Sequence, residues 1–139
     1  MHSSILTPLI ALVLWSFVMW AWLYATRIPA IVRNKIVFDP HQPVSEFHAR
    51  IPASVRWKAD NYNNLMEQPT LFYAVVLTLA VLDAGAGLNA ALAWLYTGLR
   101  VVHSLVQAIS NVVLVRFALF IAASVVLLAM TIRAAFMVF

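Results

Sequence analysis

The stretch that decides the fold is residues 90–112, AALAWLYTGLRVVHSLVQAISNV, an apolar run of bilayer length that contains a series of polar residues. These residues recur at steps of four, three, four and four, and they are Tyr96, Arg100, His103, Gln107 and Asn111. That spacing places them on one face of a helix. Because an isolated charge near the middle of a membrane helix costs about 2.5–3.5 kcal/mol on insertion scales, we expect this face to line a functional site.

The composition predicts an all-α integral membrane protein. Of 139 residues, 64% are hydrophobic and only 10% are charged, whereas soluble domains are about 45–50% apolar. The length permits a single domain over residues 1–139 with four spans of about 20 residues each. Cysteine is absent, so neither disulfides nor a catalytic thiol of the chain's own are expected. The net charge of +4 is spread over a loop and helix ends, which argues against nucleic acid as a partner.

Hydropathy predicts four transmembrane helices, at about 5–26, 62–82, 90–112 and 114–138, joined in part by a long polar loop at 27–61. Pro69 is expected to kink the second helix, and a short interfacial helix is compatible with residues 46–58. Residues 27–58 of this loop hold six cations against Asp39 and Glu46, so the positive-inside rule predicts that the loop is cytoplasmic and that both termini lie outside. We predict a multi-pass protein of a bacterial inner membrane, with an organelle membrane as the alternative.

This topology brings polar side chains from four helices to one level of the membrane. The side chains expected in the cytoplasmic half are those of Arg27, Asn64, Glu67, His103, Gln107 and Arg116. At a rise of about 1.5 Å per residue, Glu67 lies about 8 Å below Tyr62, and Gln107 lies at a similar depth below Val112. Two structural alternatives stay open, since Arg100 and Glu67 could form an ion pair that fixes helix packing and Asn64 could cap a helix.

Three motifs follow one another in the chain. The second predicted helix carries Asn64-Leu-Met-Glu67 followed by Pro69 and Phe72, the third carries Arg100-x-x-His103, and Arg116 comes thirteen residues after the histidine. In this order the motifs resemble the MAPEG superfamily, the membrane-associated proteins in eicosanoid and glutathione metabolism. Their spacing is most similar to the microsomal prostaglandin E synthase branch. The resemblance implies a homotrimer of four-helix subunits that holds glutathione, a thiol co-substrate, between neighbouring subunits near the cytoplasmic face.

The resemblance also implies roles for single residues. Arg116 matches the arginine that stabilises the glutathione thiolate, and it is the expected catalytic residue. The matching ligand contacts are Arg27, Asn64, Glu67, Arg100, His103 and Arg116. Gln107 and Phe120 occupy ligand-lining positions at which the family has tyrosines, and Asp60 stands where the family has an arginine. No metal site is expected, because His41 and His48 lack companions at ligand spacing.

These residues favour a glutathione transferase or peroxidase that acts on hydrophobic electrophiles. A thiol with a pKa of about 8.5 is mostly protonated at neutral pH, and lowering that pKa by about two units takes about 2.7 kcal/mol. A guanidinium in a low-dielectric pocket supplies stabilisation of that size. One alternative is a non-catalytic member of the same family that binds lipid or acts as a scaffold. The other is a small proton-coupled carrier whose relay is Glu67, Arg100 and His103.

Overall fold

The all-helical fold class is confirmed. A computed structural model describes residues 4–139, and within that range the chain forms six helices and no strand. The helices are α1 (Leu6–Arg33), α2 (Val44–Ala49), α3 (Ala53–Leu65), α4 (Pro69–Val81), α5 (Leu88–Ile109) and α6 (Val113–Val138). Residues 1–3, which the predicted domain includes, lie outside the described residues.

Two of these helices are long and apolar enough to cross a membrane. They are α1, with 28 residues, and α6, with 26 residues, which correspond to about 42 Å and 39 Å of helix. Large apolar side chains stand exposed on both, as Phe17 (64% exposed) and Val125 (61% exposed) illustrate. A continuous apolar surface of this kind is suited to lipid rather than to water.

The predicted second span, 62–82, is divided into two helices. Because Pro69 has no backbone N–H, the regular hydrogen bond back to the carbonyl of Leu65 cannot form. Tight turns replace it, in which the N–H of Met66 donates to the Asn63 carbonyl at 2.9 Å and that of Glu67 donates to the Asn64 carbonyl at 3.3 Å. Where a kink was expected, the chain therefore ends α3 and starts α4.

The predicted cytoplasmic loop, 27–61, is mostly helical. The first helix continues to Arg33 instead of ending near residue 26, because apolar residues follow Arg27 and the single missing donor at Pro29 does not stop it. The two short helices α2 and α3 begin directly after Pro43 and Pro52, respectively. Proline suits the start of a helix, where the backbone N–H has no partner in any case.

The polar face of the third predicted span, which is α5, points into the protein, as its spacing predicted. Tyr96 and Arg100 are fully buried, and His103 and Gln107 are each only 3% exposed. The helix packs against α1, α3 and α6, and the ring of Tyr96 stacks on that of Phe72 from α4, with ring centroids 4.4 Å apart. The inward face of α5 is thus a polar surface against which α1, α3 and α6 pack.

Candidate functional site

A cavity of about 300 Å³ lies beside the first turn of α6. Its walls come from the end of α3, the α3–α4 junction, α5 and α6, and they consist of Asn64, Glu67, His103, Val113, Arg116, Phe117 and Phe120. Polar and charged groups stand on the α3 and α5 side together with Arg116, whereas the aromatic rings come from α6. The cavity therefore combines charged groups for a polar ligand with an apolar wall.

Arg100 lies behind this cavity and holds its wall in place. Its Nη2 donates to the side-chain oxygen of Asn64 at 2.6 Å and to the Asn64 backbone carbonyl at 3.0 Å. That carbonyl belongs to the last turn of α3, where helical carbonyls lack their regular donors. The guanidinium carbon also lies 6.0 Å from the centre of the Phe120 ring. Arg100 thus joins two walls of the cavity, and these hydrogen bonds go to Asn64 rather than to Glu67.

Arg116 brings the positive charge to the cavity. It is the fourth residue of α6, so the positive end of the helix dipole and the guanidinium act on the same space. Its Nη1 donates to the side-chain oxygen of Asn111, in the turn before the helix. A cation in the first turn opposes the helix dipole and costs stability, whereas the same arrangement favours binding of an anion.

Several buried polar atoms along this face have no hydrogen-bond partner among residues 4–139. They include Nε and Nη1 of Arg100, Nδ1 of His103, Oε1 of Gln107 and Nε of Arg116. Leaving such a group unpaired costs about 1–3 kcal/mol, and more for a charged group. Buried polar groups normally find a partner in protein, water or ligand. Within residues 4–139 the chain supplies no partner for these atoms, so water or a bound ligand is the partner expected for those nearest the cavity.

A comparison with protein-family models matches residues 5–136 to the model described as the MAPEG family. The chain belongs to the MAPEG family. The match covers nearly the whole chain, including every residue that lines the cavity. No curated protein and no solved structure matches the chain.

The structure of this MAPEG protein brings together five of the eight predicted site residues. Those that line the cavity are Asn64, Glu67, His103, Arg116 and Phe120. Arg100 contacts the cavity wall through Asn64. Gln107 is buried on the inner face of α5 but is not one of the lining residues, because it lies one turn beyond His103 towards the end of that helix.

Arg27 lies apart from the cavity in this single MAPEG chain. Its Nη2 is 3.3 Å from Nε2 of His48, in an exposed contact between α1 and α2. The structure therefore does not bring Arg27 together with the predicted site residues that line the cavity. Within residues 4–139 no three His, Cys, Asp or Glu side chains are grouped so that they could hold a metal ion.

Sequence reasoning missed a hydrogen-bonded chain next to the cavity. Tyr96 donates from its hydroxyl to Oε1 of Gln68 at 3.2 Å, and Gln68 donates from Nε2 to the hydroxyl of Ser124 at 2.7 Å. Ser124 donates in turn to the backbone carbonyl of Phe120 at 2.7 Å. The only sequence signal was that Gln68 and Ser124 are polar residues within predicted spans. These three hydrogen bonds connect the start of α4 with α5 and with α6 next to Phe120.

Proposed function

We propose that this protein is a membrane-bound, glutathione-dependent transferase or peroxidase that acts on hydrophobic electrophiles, with Arg116 stabilising the glutathione thiolate. The observation that carries the proposal is that Arg116 shares one cavity with Asn64, Glu67 and His103 at the positive end of α6. A guanidinium does not give up its proton at physiological pH. Its role is therefore electrostatic, and it lowers the pKa of a thiol whose sulfur is held beside it.

The other lining residues divide between the two reactants. Glu67 carries a negative charge suited to the amino group of glutathione, and Asn64 and His103 supply hydrogen bonds. Arg27 is a cation proposed for its carboxylates, and Arg100, which lies behind Asn64, is proposed to add positive charge on the same side of the cavity. Phe117 and Phe120 face the cavity with apolar surface, which suits an electrophile that dissolves in the bilayer. The division explains why a cavity with charged walls has aromatic rings on one side.

The chemistry follows from the thiolate. In the transferase reaction the sulfur attacks an electrophilic carbon, a carbon–sulfur bond forms, and the leaving group departs with the bonding electron pair, while the thiol proton passes to water. In the peroxidase reaction the sulfur attacks the terminal oxygen of a hydroperoxide, which breaks the oxygen–oxygen bond and gives an alcohol and a glutathione sulfenic acid. A second glutathione then reduces the sulfenic acid, forming the disulfide and water. In both reactions the step that Arg116 assists is formation of the thiolate.

The proposed assembly is a homotrimer in which glutathione lies between neighbouring subunits. One observation supports more than one subunit around the site, since Arg27 contacts His48 and lies on a different part of the chain from the residues that line the cavity. We also propose that four segments cross a bacterial inner membrane, with residues 27–61 on the cytoplasmic side and both termini outside.

The direct test measures conjugation of glutathione to a model aryl halide, and glutathione-dependent reduction of a lipid hydroperoxide, by the purified protein in detergent. Arg116→Ala is expected to lower turnover by about a hundredfold, the size of effect seen when one stabilising donor is removed. Arg133→Gln is the matched control, because Arg133 is also on α6 but bonds to Asn89 away from the cavity. Equal rates in wild type and Arg116→Ala would exclude Arg116 from the mechanism.

A second candidate is a non-catalytic member that binds lipid. Phe120 favours it, because this residue brings an apolar ring to the cavity at a position where the family has a tyrosine hydroxyl. Equilibrium binding separates the two candidates. Saturable binding of glutathione with an ultraviolet signal of the thiolate supports the enzyme, whereas binding of lipid without such a signal supports the second candidate. Proteoliposome flux that does not depend on thiol would instead support a proton-coupled carrier.

A further inference from the structure

The turn between α5 and α6 holds Asn111, the last residue of the polar series, which is not among the predicted ligand contacts. Only residues 110–112 separate the two helices, and Asn111 in the middle of them has a φ of +51°. Its backbone N–H donates to the carbonyl of Val106 at 2.7 Å and closes the end of α5. Asparagine is one of the few residues other than glycine that adopts this left-handed conformation readily.

The side chain of Asn111 is not needed for that turn. Its oxygen instead accepts a hydrogen bond from Nη1 of Arg116, five residues further on. The turn places Asn111 just before Val112, the N-cap of α6. Residues before an N-cap often pack against the fourth residue of the following helix, usually through apolar contact. Here Asn111 precedes the N-cap and Arg116 is the fourth residue of α6, and the two side chains form a hydrogen bond instead of an apolar contact.

We infer that Asn111 is a positioning residue, which holds the guanidinium of Arg116 towards the cavity so that it stabilises the bound thiolate. This inference rests on the proposed function of Arg116. An arginine side chain has four rotatable bonds and loses rotamer entropy when it is ordered. A fixed acceptor in a rigid turn orders the side chain before the ligand arrives, which makes the electrostatic stabilisation preorganised.

Among residues 4–139, Asn111 is the only hydrogen-bond partner of the Arg116 guanidinium. The Nε of Arg116 is buried without a partner among residues 4–139. Of the residues that line the cavity with it, Glu67 carries the only carboxylate, and it is exposed. A neutral acceptor such as the asparagine amide also has an advantage over a carboxylate, because it orients the guanidinium without cancelling the positive charge that the thiolate needs.

Asn111→Gly is the decisive variant, since glycine keeps the left-handed backbone at no steric cost and removes only the side chain. Asp83→Gly is its matched control, because Asp83 also has a positive φ, of +53°, and lies in the turn between α4 and α5. The primary measurement is the pH dependence of the thiolate absorbance of bound glutathione. Asn111→Gly is expected to raise the pKa of the bound thiol by about one unit, from about 6.5 to about 7.5, and therefore to lower the thiolate fraction and turnover about threefold at pH 7. Asp83→Gly is expected to change neither quantity.

A second measurement does not depend on glutathione. Nitrogen-15 NMR of arginine side chains is expected to show restricted rotation of the Arg116 guanidinium in wild type, free rotation in Asn111→Gly and restricted rotation again in Asn111→Asp, which keeps an acceptor oxygen. If the guanidinium is restricted but glutathione is neither bound nor ionised by wild type, the proposed function fails and the contact stands. If wild type and Asn111→Gly give the same pKa of the bound thiol, the positioning role is overturned and the proposed function stands.

Discussion

Arg100 donates from one nitrogen, Nη2, to both the side-chain oxygen and the backbone carbonyl of Asn64, at 2.6 Å and 3.0 Å. The contact joins the middle of α5 to the end of α3, where Pro69 has broken the second predicted span. The Asn64 carbonyl also accepts from the N–H of Glu67, so Arg100 is its second donor. The fully buried Arg100 therefore stabilises the end of α3, which forms one wall of the cavity.

Removing the amide of Asn64 is expected to destabilise the protein. Asn64→Ala deletes the shorter of the two hydrogen bonds to Arg100 and leaves more of a buried guanidinium unpaired, at a cost of about 1.5–3 kcal/mol for a hydrogen bond to a charged group. Thermal unfolding in detergent measures this as a lower Tm. Asn63→Ala changes the exposed neighbouring residue and is expected to leave Tm unchanged. An unchanged Tm in Asn64→Ala would show that the Arg100 contact contributes no net stability.

Gln107 and Phe120 stand at the two positions where the resemblance implies a tyrosine, and introducing tyrosine at each is expected to have unequal effects. Phe120→Tyr adds a hydroxyl at a residue that lines the cavity, where it can donate to the thiolate and lower the pKa of the bound thiol. Gln107→Tyr changes a buried residue outside the lining set and is expected to bring no such gain. The measurement is the pH profile of kcat for both variants. A larger gain from Gln107→Tyr would contradict the geometry of the cavity.

Neutralising Glu67 is expected to affect binding more than chemistry. Glu67→Gln removes the only carboxylate that lines the cavity and with it the proposed charge for the amino group of glutathione. We expect KM for glutathione to rise about tenfold, while kcat changes by less than about twofold. Asp60→Asn, in α3 but outside the lining set, is the control. A fall in kcat at unchanged KM would instead assign Glu67 to the chemical step.

Subunit mixing tests whether one site takes residues from two chains. Arg27 contacts His48 in its own chain, whereas Arg116 lines the cavity. In the proposed trimer, the Arg27→Ala and Arg116→Ala variants are each expected to be impaired when expressed alone. Trimers that contain both kinds of subunit regain part of the activity, because some of their sites receive an intact Arg27 from one chain and an intact Arg116 from the next. Activity that never exceeds that of the better single variant would place both arginines on one subunit.

The content of the cavity was largely predictable from the sequence. Spacing along α5 predicted which side chains are buried, and His103 and Arg100 lie where that spacing places them. Counting residues along the second predicted span placed Asn64 and Glu67 near His103 and Arg116, and all four residues line one cavity in the structure. They do so although residues 66 and 67 form tight turns where the span was expected to continue.

Other parts of the site depended on contacts that no local pattern encodes. The hydrogen bond from Arg100 to Asn64, instead of an ion pair with Glu67, depends on how α5 faces the end of α3. The exclusion of Gln107 from the cavity depends on its position along α5, one turn beyond His103. Asn111, the acceptor for Arg116, is close to it in sequence. Its left-handed backbone conformation produces no periodic pattern in the sequence, so this contact could not be predicted.

By itself, the sequence determined which residues are buried and which helix face is polar, because hydrophobic periodicity is a local property of a helix and follows from its 3.6 residues per turn. Only the tertiary structure decided which buried polar groups meet, since a hydrogen bond between helices requires donor and acceptor within about 3 Å. That precision is set jointly by the rotation and depth of every packed helix. Arg100 illustrates both levels, for its burial was evident from spacing and its partner emerged only from the packing of α5 against α3.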